Sequence, residues 1–205
     1  MCTVNDYAAS DSLQLIPLTS LPASLMQIRF GPCLLELTHG DITQQETDAI
    51  VNAANRALAG GGGVDGAIHR AGGPSIMDET NRRYPEGCPT GQAVITAAGR
   101  LPCRFVIHSV GPVWNGGTSD EQALLESAYT SSLALAVEYE CHSVAFPAIS
   151  TGAFSYPADL AATHSLAAVR DYLIQDKSPA HVLFVLFDSG MYGAYARALD
   201  ELIAE

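Results

Sequence analysis

Three short stretches of this chain carry side chains and bare backbone able to do chemistry. They are Gly40-Asp41-Ile42-Thr43, then Asn52-Ala53-Ala54-Asn55 with Gly60 through His69, and last Ile149 through Pro157. Gly60 to Gly63 are four successive glycines placed just before a helical pattern. With no side chains in the way their N–H groups, together with the positive end of the helix, make a cradle for an anion. Ser150-Thr151-Gly152 supplies a second set of N–H and hydroxyl donors, again between a strand and a helix. Two such loops facing one another suit a diphosphate. Each piece has a plainer role open to it: the glycines as a flexible linker, Asp41 as a turn cap, Asn52 and Asn55 as ordinary turn residues. The conjunction of all three stretches is what points to a ligand.

The elements that must position these loops follow from the apolar pattern. Strands are expected at Leu34–Leu37, Ala49–Val51, Ala93–Ala97, Phe105–Val110, Ser143–Phe146 and Val182–Phe187. A helix runs from near Val64 to Gly72-Gly73-Pro74, and Ser75 is expected to cap another reaching toward Tyr84. Asp120 opens a long helix, Pro157 sits in the first turn of one reaching about Ile174, and a last helix spans Tyr192 to Ile203. Unbroken apolar strands between helices imply a sheet covered on both faces, an α/β domain of three layers, α/β/α. No helix separates the strands at Ala93 and Phe105, so they should pair antiparallel and the central sheet should be mixed. Each chemical loop leaves the C-terminal end of a strand, the edge where open α/β sheets hold ligands. Residues 1–32 are read as an N-terminal extension, partly helical around Leu21 to Ile28, and 33–205 as the domain.

Composition narrows the possibilities. The chain has 205 residues, of which 48% are hydrophobic and 16% charged, enough for one domain with a sizeable core and unlike a disordered segment. Ten Lys and Arg against 22 Asp and Glu give a net charge of −12, which repels polyanions and disfavours general nucleic-acid binding. No stretch is apolar for the roughly 18 residues a membrane span needs, and the start lacks the basic residues of a signal peptide. The five cysteines are scattered without C-x-x-C spacing, so they read as reduced thiols in a cytoplasmic protein. Gly61-x-Gly63-x-x-Gly66 matches the dinucleotide fingerprint formally, but eight residues (53–60) part it from the strand end at Asn52. That fingerprint belongs in the tight turn itself, so a Rossmann oxidoreductase is rejected. Esterase-elbow, P-loop and zincin motifs are absent from the sequence.

In their order along the chain these stretches resemble the macrodomain family, most closely its MacroD-type branch, which includes the bacterial O-acetyl-ADP-ribose deacetylases. Supporting segments are Cys88-Pro89-Thr90-Gly91, Val106 through Trp114 and Ala145 through Ile149, and the likeness runs from Leu34 to Glu205. The resemblance implies a macrodomain fold and an ADP-ribose pocket that needs neither metal nor cofactor. Asp41 would accept a hydrogen bond from the adenine amine, helped by the Ile42 N–H. Gly62, Gly63 and Val64 would face one phosphate, and Ser150, Thr151, Gly152 and Ala153 the other. Asn55 would hold the distal ribose hydroxyls, Phe154 would pack on that ribose, and Phe187 would stack near adenine.

Asp65, in Val64-Asp65-Gly66, separates an enzyme from a module that only binds. The resemblance implies that Asp65, with Asn55 beside it, positions and polarises a water that attacks an ester on the distal ribose. At a helix start it is favoured as a carboxylate, while bound phosphates push its pKa the other way. A purely structural helix acid is the alternative. His69 and His108 are expected as packing or polar supporting groups, with no His, Asp or Glu cluster at metal-ligand spacing. Two residues depart from the family pattern: Phe154 stands where deacetylase relatives often carry Tyr, and Ser155 where Gly is usual. The activity implied is hydrolysis of O-acetyl-ADP-ribose and removal of mono-ADP-ribose from acidic side chains of modified proteins. The rival is a non-catalytic ADP-ribose reader.

Overall fold

The computed structural model describes residues 26–204. In chain order the strands and helices are β1 (Met26–Phe30), β2 (Cys33–His39), β3 (Ala49–Ala53), α1 (Gly63–Gly72), α2 (Pro74–Arg83), β4 (Ala93–Ala97) and β5 (Phe105–Ser109). They continue with α3 (Glu121–Glu138), β6 (Ser143–Phe146), α4 (Ala158–Asp176), β7 (His181–Leu186) and α5 (Ser189–Ala204). The strands form one sheet in the order β1-β2-β7-β6-β3-β5-β4. The five inner strands are parallel, and β1 and β4 pair antiparallel at the two edges. The mixed sheet expected from the missing helix between β4 and β5 is therefore present.

Alternation along the strands sorts side chains onto two faces. Ala49 and Val51 of β3, and Val182, Phe184 and Leu186 of β7, join one core cluster with Leu125, Leu133, Leu166, Val169 and Leu199 of α3, α4 and α5. Ile50 of β3, Val106 of β5, and Leu183 and Val185 of β7 join a second with Ile68 of α1 and Ile76 of α2. The sheet is thus the middle of three layers. Asn52, two residues past Ile50, falls on the α1–α2 face, as does His108, two past Val106. Both are fully buried on a face otherwise apolar, a placement that demands polar partners.

Four expectations are corrected. The helical reading of Leu21 to Ile28 fails where the structure describes it: Met26–Phe30 is a strand in register with Cys33–Leu37, closed by a two-residue turn at Gly31. Residues 21–25 lie outside the described residues. Ser75 does not cap α2; Gly73 holds that place and Pro74 opens the helix, where its lacking N–H costs nothing. Pro157 is the N-cap of α4 and not part of its first turn. The last strand stops at Leu186, leaving Phe187 beyond the sheet and 79% exposed.

Candidate active site

The loops singled out in the sequence leave neighbouring strands along one edge of the sheet. Asp41 follows β2, Phe187 follows β7, Ser150 to Tyr156 follow β6, and Asn55 to Gly62 follow β3, and these four strands lie side by side in that order. Three strand spacings of about 4.8 Å put the outer loops roughly 14 Å apart, the reach of an extended dinucleotide-sized ligand.

The glycine loop owes its shape to what it lacks. Gly62 is the N-cap of α1 and no side chain caps the helix, so the first-turn N–H groups of Gly63, Val64 and Asp65 are left for an external acceptor. A Cβ added at Gly62 or Gly63 would meet nothing within 4 Å, so both face open space. Behind the loop, Gly66 admits the Gly61 carbonyl: a Cβ there would stand 2.6 Å from that oxygen. Asn55 shapes the same turn, its Nδ2 donating to Gly60 O at 2.8 Å and its Oδ1 accepting from Ala59 N at 3.3 Å.

The facing loop is tightly folded. Tyr156 N donates to Ser150 O at 3.0 Å and Ser155 N to Gly152 O at 2.9 Å. Ser150 and Ser155 both take left-handed backbone, φ 69° and 56°, so the serine at 155 does occupy a position where glycine is the easy residue. Thr151 Oγ1 donates to Ala148 O, while Gly152 and Ala153 are exposed at the turn. Ser150 Oγ is buried without a partner, and Gly111 is required beside it, since a Cβ at 111 would overlap Ser150 and Ile149. Tyr129, fully buried on α3, braces the start of the loop: its hydroxyl accepts from Ile149 N at 3.0 Å and donates to Pro147 O at 3.1 Å. Phe154 is held through its carbonyl, which accepts from Trp114 N at 2.9 Å. The loop after Trp114 is pinned in turn by Glu121, whose carboxylate accepts from the N–H groups of Asn115, Gly117 and Ser119.

At the far end Asp41 caps a short 3-10 turn, Ile42–Gln44. Its Oδ1 accepts from Thr43 N at 2.9 Å and from Thr43 Oγ1 at 2.8 Å. The other oxygen stays with an exposed side chain, while Ile42 is buried beneath it. The capping role weighed for Asp41 is therefore real and leaves an acceptor to spare.

Asp65 behaves as more than a helix acid. It is 5% exposed and points under the glycine loop, where a Cβ at Gly61 would come within 3.3 Å of Oδ2. Its Oδ1 accepts from Asn52 Nδ2 at 2.5 Å and lies 3.4 Å from His69 Nε2, whereas Oδ2 is buried with no partner. Burial raises its pKa, but the hydrogen bonds from His69 and Asn52, with the charges of His69 and His108, outweigh that and leave it below the ordinary aspartate value. The acid is thus ionised at neutral pH and presents one unsatisfied oxygen. Asn52 was legible only as a turn residue; it lies inside β3. Behind it stand His108, with Nδ1 3.2 Å from Asn52 Nδ2, and Thr96, with Oγ1 2.9 Å from His108 Nε2. Sequence reasoning expected His108 as a packing or polar supporting group and gave Thr96 no role; strand parity is the signal that could have placed His108 on the face of Asn52. Among the described residues no group of three or more His, Cys, Asp or Glu side chains is placed to hold a metal ion. None of the described helices is long and apolar enough to cross a membrane, and Cys33, Cys88, Cys103 and Cys141 are free thiols.

A three-layer α/β/α domain with two donor-rich turns at adjacent strand ends, and a buried carboxylate beside them, is the architecture of a macrodomain. The Macro domain family profile matches residues 51–165. The chain is 54% identical over 170 residues to the Macro domain-containing protein TTE0995 of Caldanaerobacter subterraneus subsp. tengcongensis, covering 82% of this chain and 97% of that one. It is 51% identical over 169 residues to the O-acetyl-ADP-ribose deacetylase of Citrobacter koseri, covering 82% and 96%. A substituted form of the Oceanobacillus iheyensis macrodomain, solved with ADPR, superposes with a TM-score of 0.85 at 38% identity, covering 89% of this chain and 100% of that one. This chain belongs to the Macro domain family.

Proposed function

We propose that this protein hydrolyses esters on the distal ribose of ADP-ribose derivatives. Its substrates are O-acetyl-ADP-ribose, from which it releases acetate, and proteins mono-ADP-ribosylated on acidic side chains, in the cytoplasm where its thiols stay reduced. The observation that carries this reading is Asp65 Oδ2, a buried carboxylate oxygen without a partner beside Gly61. An oxygen so placed costs stability unless a donor arrives with the ligand. A module that only bound phosphates would do better without an anion there.

ADP-ribose would lie along the strand ends with adenine at Asp41, Ile42 and Phe187. Its phosphates would sit between Gly62-Gly63-Val64 and Ser150 to Ala153, and its distal ribose at Asn55 and Phe154. Water held by Asp65 Oδ2 adds through its oxygen to the acyl carbon. The bond from that carbon to the ribose oxygen then breaks, one proton of the water passes to the ribose oxygen and the other to Asp65 and on to solvent, and the acid leaves as its anion. With a pKa below the usual range even with burial counted, Asp65 is a weak base, suited to orienting and polarising the water until bound phosphate raises its basicity. Help of this kind is worth about 10² to 10⁴ in rate. Asp65→Ala should bind ADP-ribose by calorimetry much as wild type does, while acetate release from O-acetyl-ADP-ribose collapses by that factor. Wild type that binds ADP-ribose and releases no acetate would establish the reader instead.

A further inference from the structure

We propose that Thr96 and His108 are positioning residues which, through Asn52, fix the oxygen of Asp65 that is left free to meet the substrate water. The inference rests on the role proposed for Asp65, yet it is drawn from proton bookkeeping that begins at that carboxylate and needs no ligand.

A carboxylate only accepts. The contact of 2.5 Å to Asp65 Oδ1 therefore comes from the amide nitrogen end of Asn52, which settles the orientation of that side chain. The same Nδ2 lies 3.2 Å from His108 Nδ1, so Nδ1 must offer a lone pair. In a neutral ring the hydrogen then sits on Nε2, 2.9 Å from Thr96 Oγ1, which accepts it. The ring is neutral because it is 1% exposed: burial first, then the facing His69, hold its pKa down to about 4 against the opposite pull of Asp65 and Glu79. His69 stacks over it with ring centroids 6.1 Å apart, so α1 supplies His69 and Asp65, α2 supplies Glu79, and the strands supply only Thr96 and Asn52. One proton order runs from Thr96 to Asp65.

That order has a consequence at the reacting end. Oδ1 is taken by Asn52 and by His69, so Oδ2 alone faces Gly61. Remove the Thr96 hydroxyl and Nε2–H loses its acceptor, so the other tautomer becomes as good. A hydrogen on Nδ1 would then meet the Asn52 N–H, donor against donor, and the amide would turn over. Its oxygen would now face Asp65 Oδ1, acceptor against acceptor, and the carboxylate would lose its grip. Asn52 Oδ1, which is buried with no partner, shows that the present orientation is kept for its donor end despite leaving the acceptor unsatisfied. Thr96 is on β4, separated from β3 by β5, so its effect on Asp65 must travel through this chain of bonds.

The test uses Thr96→Val, which keeps the shape, and Thr96→Ser, which restores the hydroxyl. Nitrogen-15 NMR of the histidines should show His108 with its hydrogen on Nε2 in wild type and a mixture of tautomers in Thr96→Val. Carboxyl-carbon NMR should show the Asp65 titration moving up in Thr96→Val and returning in Thr96→Ser. On O-acetyl-ADP-ribose, kcat of Thr96→Val should fall by about tenfold or more, with KM and ADP-ribose affinity within about twofold, and Thr96→Ser should recover it. Should Thr96→Val not fold, His108→Gln against His108→Leu carries the same comparison, because a glutamine amide offers an acceptor and a donor in the order of the ring. A hydrogen on Nδ1 in wild type overturns the proposal, as does a Thr96→Val protein whose Asp65 titration is unmoved. If wild type hydrolyses no ester, the proposed function falls, and the two NMR measurements still decide the relay.

Discussion

Replacing Gly66 by alanine separates what the glycines do for the fold from what they do for the ligand. Alanine in place of glycine inside a helix ordinarily gains about 1 kcal/mol. At 66 the new Cβ would stand 2.6 Å from Gly61 O and 2.9 Å from Arg70 Nη1. The arginine can swing away, but the carbonyl is backbone and moves only with the cradle. Overpacking of this kind costs about 1 to 3 kcal/mol. The net expectation is a loss of roughly 1 kcal/mol, which lowers Tm by about 2 to 4 °C in a domain of this size. Because Gly61 to Gly63 shift with the carbonyl, ADP-ribose affinity should fall as well. Gly152→Ala makes the contrast: its φ lies outside the left-handed region and nothing stands within 4 Å of the added Cβ. Its Tm should match wild type while the methyl group obstructs the phosphate position and weakens binding. Differential scanning calorimetry and isothermal titration with ADP-ribose read both. A Gly66→Ala protein that melts higher than wild type, or a Gly152→Ala protein that binds as well, would refute the reasoning.

Two other perturbations check the ends of the site. Asp41→Asn keeps an oxygen for the Thr43 cap but removes the charge, so Tm should hold while ADP-ribose binds weaker by about 1.5 to 3 kcal/mol, roughly 10- to 150-fold in Kd; unchanged affinity by titration would remove Asp41 from the adenine. The buried His108 makes stability pH-dependent in a definite direction. Its folded pKa of about 4 lies below the unfolded value near 6.5, so the unfolded chain binds more protons between them. Stability should therefore fall as pH is lowered through that window, by roughly 3 kcal/mol in all. Asp65, depressed below its ordinary value, adds a loss only at still lower pH. Urea unfolding at pH 7 and near pH 4.5 should show the drop in wild type and a flatter response in His108→Gln, and equal slopes would contradict it.

Much of the site could be seen in the linear pattern because it is made of backbone. A run such as Gly60 to Gly63 ahead of an apolar helix, or Ser150-Thr151-Gly152 between strand and helix, advertises itself through residue type alone, since only particular residues leave N–H groups bare. Element limits were less secure where one residue has two uses. Ser75 reads as a cap until Pro74 is seen to begin the helix, and Phe187 reads as strand because it extends an apolar run. Met26–Phe30 overlaps a stretch read as partly helical, Leu21 to Ile28; pairing with β2 made it an edge strand. Phe187 lies beyond the last strand with 79% of its surface exposed.

The sequence by itself determined the layer architecture, the antiparallel β4–β5 pair, the two donor-rich turns and the acid beside them, because each follows from local pattern and local chemistry. The tertiary structure alone decided that Thr96, His108 and Asn52 stand in one line behind Asp65, and that Tyr129 braces Ile149. Those contacts join residues up to 56 positions apart through strand order and register. A histidine or threonine in an apolar strand has the same local signature whether its partner is across the sheet or absent. Only the pairing of strands brings the donor to its acceptor.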